Sequence, residues 1–198
     1  RKLDGIPNNI DQYLPDAHFI SKKIGIYFSV EISLKAQALL FCFGSENIFN
    51  TFIDVFQTDN LFLNVHLPWS NSNVYWDAGY NGGYDRINKL ANAQDFEGRW
   101  NHWAFTKNAA TGEMKIFLNG LLWHSGVNLS RTMNDIVQFT IGSACTWSNY
   151  YHGDIDDFQI FNVALDANTI DQWRYQLPNP NHPYFDQLQL HYTFDELG

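Results

Sequence analysis

Apolar and polar positions alternate with a period of two through much of this chain, most cleanly between Gly98 and Gly126. There Asn101, Trp103, Phe105 and Lys107 alternate with Trp100, His102, Ala104 and Thr106, which predicts a strand over Trp100–Lys107. Asn108–Gly112 is a turn cluster, and Glu113–Leu118 alternates again with Met114, Ile116 and Leu118 on one face. Asn119-Gly120 supplies the pair that tolerates positive φ in a tight hairpin, and Leu121–His124 returns. The whole stretch reads as a three-stranded meander.

The rest of the chain follows the same rhythm with interruptions. Leu3–Pro15 reads as an opening loop with a short strand, and Ile24–Leu34 as a strand with one apolar face. Ala38–Gly44 is continuously apolar, as a strand buried on both sides would be. Thr51–Gln57 and Leu61–Leu67 are two further strands about a Thr58-Asp59-Asn60 turn. Pro68–Lys89 then breaks the alternation. Apart from a brief strand at Val74–Trp76 it is rich in Asn, Gly and Ser, and it reads as a long aromatic loop. Ile136–Ser143 and Asp154–Phe161 are strands flanking a second aromatic loop at Ala144–Gly153. Asp166–Tyr175 is the single predicted helix, with Asp166 as its cap and Ile170 on its inner side together with Trp173 or Arg174. A proline-rich connection, Leu177–Pro183, leads to a last strand at Leu188–Phe194. Ten or more short strands with one helix argue for an antiparallel sandwich.

Composition sharpens this picture in three places. Aromatic residues make up 17% of the 198, more than a core of this size needs, so some rings in polar loops are free for contact. The net charge of −9 carries no offsetting basic cluster, which excludes nucleic acid as a partner. No apolar run is long enough to span a bilayer, and none resembles a signal peptide; because the chain begins at Arg1, it reads as a processed or excised piece. Cys42 and Cys145 are too few for a disulfide scaffold and have no metal spacing, leaving two buried thiols or one bridge, with burial favoured. The seven histidines are scattered without zinc-site spacing, and Asn128-Leu129-Ser130 is a glycosylation sequon.

The order of motifs resembles a known family. Trp100-Asn101-His102-Trp103-Ala104, a turn, then Met114–Gly120 (MKIFLNG) is similar to the laminin-G-like and pentraxin-like branch of the concanavalin A-like lectin/glucanase superfamily. So are Ile141-Gly142-Ser143 and the closing stretch Tyr151–Leu165 (YHGDIDDFQIFNVAL). The likeness runs from about Leu3 to Trp173. It implies an all-β jelly roll of two curved antiparallel sheets with one short helix near the C-terminus. Residues 1–176 would form this domain, and 177–198 a connection plus a terminal strand that either closes it or starts a following module. It also implies an extracellular or cell-surface protein of several domains.

Members of this superfamily bind carbohydrate or protein, and the aromatic loops are where such a site is expected. Trp69, Tyr75, Trp76, Tyr80 and Tyr84 in the first loop, with Trp147, Tyr150 and Tyr151 in the second, would stack on sugar rings. Asp77, Asp85 and Arg86 would take hydroxyls, or brace the loop as an ion pair. The plainer role for such rings is to pin long loops to the sandwich. Trp100, Trp103 and Trp123, in or beside regular strands, are expected to be packing residues. Asp156 matches a position that helps hold a structural calcium in some members; the alternative is a cap-like hydrogen bond at the start of its strand. No cofactor is otherwise expected.

The E-x-D-x-E runs of the superfamily's hydrolases are missing, and Val74–Gly82 has Asp77 where a lyase strand would carry lysine. The expected function is therefore a non-catalytic, glycan-binding module. The alternatives are a protein-interaction or adhesion domain using the same loops, and an unrecognised polysaccharide-degrading enzyme.

Overall fold

The computed structural model describes residues 61–80, 83–133, 141–142, 151 and 154–195, together with strands at 38–44, 52–53 and 57–58. Residues 38–44, 52–53, 57–58, 61–62 and 80 are described by their backbone alone. The predicted elements at Leu3–Pro15 and Ile24–Leu34, the greater part of Ile136–Ser143, and Cys145 lie outside the described residues.

In chain order the strands are β1 (Ala38–Gly44), β2 (Phe52–Ile53), β3 (Gln57–Thr58), β4 (Leu61–His66), β5 (Asn73–Tyr80) and β6 (Gly83–Leu90). They continue with β7 (Trp100–Asn108), β8 (Glu113–Leu118), β9 (Leu121–Gly126), β10 (Asp154–Phe161) and β11 (Leu188–Tyr192). One sheet runs β11-β10-β1-β7-β8-β9, and the other runs β2-β4-β5-β6 with β3 paired to β4. All described pairings are antiparallel.

The meander forms as its alternation predicts. Between the two sheets lies one apolar core, because alternate residues of every strand point the same way. Leu63 and Val65 of β4, Val74, Trp76 and Ala78 of β5, and Ile87 of β6 meet Trp103, Phe105, Met114, Ile116, Phe158, Ile160 and Leu190 of the facing sheet. Each large side chain buried there contributes about 1.5–3 kcal/mol. The opposite face of the six-stranded sheet is covered too. Two helices accompany the strands, α1 (Ala93–Phe96) and α2 (Ala167–Trp173), and Ala104, Phe117 and Phe161 form a second apolar cluster with Leu165, Leu188 and, from α2, Ile170. Asp166 caps that helix by accepting from the Thr169 N–H at 2.9 Å. His182 of the proline-rich connection is buried with its ring stacked on Phe161.

Three expectations are corrected. The stretch Pro68–Lys89 is a long β-hairpin, β5–β6, paired from Asn73↔Leu90 to Tyr80↔Gly83. Most of its polar residues, Asn73, Asp77, Arg86 and Asn88 among them, sit on the outward face, so the sequence looked like loop while the inward face of β5 (Val74, Trp76, Ala78) kept a strand's period. A second helix exists: α1 is a single turn, Ala93–Phe96, whose preceding Asn92 donates its N–H to Asp95 Oδ2 at 2.9 Å. Trp100 is 54% exposed at the start of β7, not a packing residue. Trp103 is core, and Trp123 packs edge-on against it at 5.2 Å.

Candidate functional site

The hairpin sorts the predicted site residues by register. On β5, Asn73, Tyr75, Asp77 and Gly79 point out of the sandwich, and their partners on β6 are Leu90, Asn88, Arg86 and Tyr84. On β4, His66 lies opposite Tyr75 and Asn64 opposite Asp77, so both share this outer face. Trp76 points the other way. It is 1% exposed, and its Nε1 donates to the Thr106 carbonyl at 3.2 Å, which removes it from any ligand platform. Asp85, beside Arg86 in sequence, also turns away. Its carboxylate accepts from Lys107 Nζ at 2.7 Å and from the Arg131 N–H at 2.8 Å, so it bridges elements and does not meet ligand.

Tyr151 leaves the platform as well: it is 5% exposed within the apolar core, where burial pushes its phenol up. Tyr80 closes β5 and is described by backbone alone, and Trp147 and Tyr150 lie outside the described residues.

What remains is a compact group. Arg86 gives Nε to Asp77 Oδ1 at 2.6 Å and Nη2 to Oδ2 at 2.5 Å, a two-pronged pair. The expectation of an Asp77–Arg86 ion pair is therefore met, across two strands of a sheet. Its guanidinium lies 4.8 Å from the Tyr75 ring centre and 5.0 Å from that of Tyr84, the residues on either side along the face. Asp77 is buried beneath while Tyr84 is 38% exposed. Burial raises the Asp77 carboxyl above its ordinary value against the pull of Arg86, and the hydrogen bonds to Asp77 raise Arg86.

The patch extends over β4. His66 stands edge-on to Trp69 at 4.4 Å and to Tyr75 at 5.8 Å. Trp69 is held by a tight turn in which its N–H donates to the Asn73 carbonyl and its own carbonyl accepts from Ser72. Around the rings are amides: Asn71 Nδ2 donates to the Tyr75 hydroxyl at 2.8 Å, and Asn88 Nδ2 to Asn73 Oδ1 at 3.2 Å. Asn64 Nδ2 lies 2.6 Å from His66 Nε2. His66 is buried, with its ring against Trp69 and Tyr75. Burial first, then Arg86, lowers its pKa to about 4.

His66 and the asparagines were not singled out from the sequence. The signal that would have found them is register: once β5 pairs with β4, His66 must face Tyr75.

Asp156 is partly buried at the start of β10 and accepts from the Asp157 N–H at 2.9 Å, the cap-like bond considered for it. Burial and the neighbouring Asp157 raise its pKa. Calcium takes six to eight oxygens, and among the described residues no group of three His, Cys, Asp or Glu side chains gathers to hold a metal ion. Asp156 on its own does not make such a site. Among the described residues no helix is long and apolar enough to cross a membrane.

Comparison with known proteins adds the following. A family model described as the concanavalin A-like lectin/glucanases superfamily matches residues 44–171. No curated protein sequence matches the chain. Solved structures share the fold at low identity. A protein from Bacteroides ovatus, provisionally described as carbohydrate-binding, is 16% identical with a TM-score of 0.58 over 92% of this chain and 49% of its own. The binding domain of botulinum neurotoxin DC in complex with SialylT is 16% identical, with a TM-score of 0.56, over 82% of this chain and 45% of its own. A heptameric SAP-like pentraxin from Limulus polyphemus is 13% identical, with a TM-score of 0.56, over 96% and 90%. The chain thus spans about half the length of the first two.

Proposed function

The chain belongs to the concanavalin A-like lectin/glucanases superfamily, and on that premise we propose that it is a non-catalytic, carbohydrate-binding module. The observation that carries this is the outer face of β4–β6. Trp69, Tyr75 and Tyr84 lie partly open to solvent there, beside Asn71, Asn73, Asn88 and Arg86. Among the described residues neither apolar core draws on Trp69, Tyr75 or Tyr84. Ring faces take the C–H side of a pyranose, and amides take its hydroxyls. That two proteins of similar fold are described with carbohydrate or SialylT supports the class of ligand.

A glycosidase needs two carboxylates flanking the scissile bond. On the described outer face of β4–β6 the one carboxylate is Asp77, buried and bound to Arg86, which supports binding over catalysis. The reading carries with it a secreted or surface location within a larger protein. It requires no cofactor.

The test is a glycan array with the parent protein and the Tyr84→Ala and Trp69→Ala variants. Specific sugar binding by the parent, lost at least tenfold in either folded variant, is the expected result; about 1.4 kcal/mol of stacking suffices for that factor. Full retention in both variants would sink this site. Binding to no sugar, with capture of a protein ligand that Tyr84→Ala abolishes, would move the assignment to an interaction domain.

A further inference from the structure

We propose that this face selects an uncharged glycan, one without carboxylate, sulfate or phosphate; the proposal rests on the glycan-binding reading above. Between Leu61 and Leu90 the cationic side chains are Arg86 and Lys89. Lys89 donates to the Trp123 carbonyl at 2.9 Å and lies over the Trp123 ring at 4.4 Å, away from the patch. Arg86 has already given Nε and Nη2 to Asp77. The fork that would receive a ligand carboxylate or sulfate is therefore filled by an internal one. A ligand anion that displaced Asp77 would strand a buried carboxylate without its partner, and a contact half open to water does not offset that. One that approached without displacing it would meet a pair of zero net charge.

His66, buried beside Asn64 at 2.6 Å, is uncharged near neutral pH, because burial and then Arg86 lower its pKa to about 4. Among the described residues the face also offers the carboxamides of Asn64, Asn71, Asn73 and Asn88 and the phenols of Tyr75 and Tyr84. At long range the net charge of −9 disfavours approach of an anion.

The experiment measures binding of matched oligosaccharide pairs, each a neutral sugar and its sulfated, sialylated or uronate counterpart. It is run at about 50 mM and about 500 mM salt, which spans strong and weak screening. The neutral member is expected to bind at least about tenfold tighter, with affinity that changes by less than about twofold across that salt range. Asp77→Asn frees the Arg86 fork and is expected to gain affinity for the anionic member, salt-sensitively. Tighter binding of the anionic member by the parent, weakened by salt and lost in Arg86→Gln, overturns the inference and leaves the glycan reading standing. Failure of both members of every pair overturns the glycan reading, and this inference with it. Should Asp77→Asn not fold, the comparison on the parent protein decides alone.

Discussion

Acidifying the protein from about pH 7 to about pH 4.5 forces protons onto two buried imidazoles that the fold holds neutral. His66, under Trp69, and His102, inside the six-stranded sheet, are both buried, and each is lowered from 6.5 to about 4. For His102 the causes are burial and then Arg174, against a smaller opposing pull from Asp157. Both folded-state values lie below the unfolded one, so between them the unfolded chain binds more protons. The stability these rings preserve is complete above about pH 6.5 and is lost as pH falls toward about 4. By pH ~4.5 about two units of that window have been crossed, and at about 1.4 kcal/mol per unit each ring costs roughly 2–3 kcal/mol. Together they remove about 5 kcal/mol, a large part of the ~5–15 kcal/mol that holds a domain folded. His124 and His182 are lowered as well and act in the same sense. Asp77 opposes: its carboxyl is raised, so stability is gained as pH falls through that raised value. Urea unfolding at constant ionic strength, repeated from about pH 7 to about 4.5, measures the loss. His66→Gln and His102→Gln should each reduce the acid loss by roughly 2–3 kcal/mol, whatever they do to stability at neutral pH. A pH dependence left unchanged in both variants would refute the argument.

Three further outcomes follow from the same contacts. Asp85→Ala leaves the Lys107 ammonium buried with the Leu129 carbonyl at 3.1 Å and Met114 sulfur at 3.6 Å, and should cost about 3–5 kcal/mol in thermal or urea melts. Pairing it with Lys107→Met should recover most of that. Gly79→Ala would press a methyl group on the Gly83 carbonyl oxygen and lie 2.5 Å from Tyr84 Cα, so it should cost about 1–3 kcal/mol and weaken sugar binding by shifting Tyr84. Asp156→Asn should leave the melting temperature in chelator unchanged or higher, because burial, and then Asp157 and Asp195, already disfavour the charge; a fall of several degrees would contradict this. Calcium that stabilises the parent and not this variant would establish a metal role.

The fold was legible where period and turn chemistry agreed. Ala38–Gly44, Glu113–Leu118 and Asp154–Phe161 form with the bounds their sequences predict, because an inward face of Met114 and Ile116 or Phe158 and Ile160 has one place to go. The hairpin was not legible because its two faces send opposite signals. Asn, Asp and Arg on the outward positions read as loop, while Val74, Trp76 and Ala78 complete the core. The same ambiguity misassigned the site. Composition marks Trp76 and Tyr75 alike as aromatic neighbours in a polar stretch, and only the phase of the strand separates a core ring from a surface one. Asp85 and Arg86 are adjacent for the same reason and yet face opposite sides.

That opposition gives the two ion pairs different work. Lys107 and Asp85 join strands of facing sheets, Lys107 from β7 and Asp85 from β6, and so clamp one end of the sandwich beneath the hairpin. Asp77 and Arg86 join neighbouring strands on the outside, where the guanidinium sits between two tyrosines. The clamp fixes the backbone of Asp85; the next residue in the strand is Arg86, whose position decides where Tyr75 and Tyr84 present their rings. A site whose rings are held this way loses little side-chain freedom on binding a sugar, and pre-organisation of that kind is where a small, uncharged ligand surface gains affinity. Weakening the Lys107–Asp85 clamp should therefore reduce sugar affinity in protein that is still folded, although neither residue reaches the ligand face.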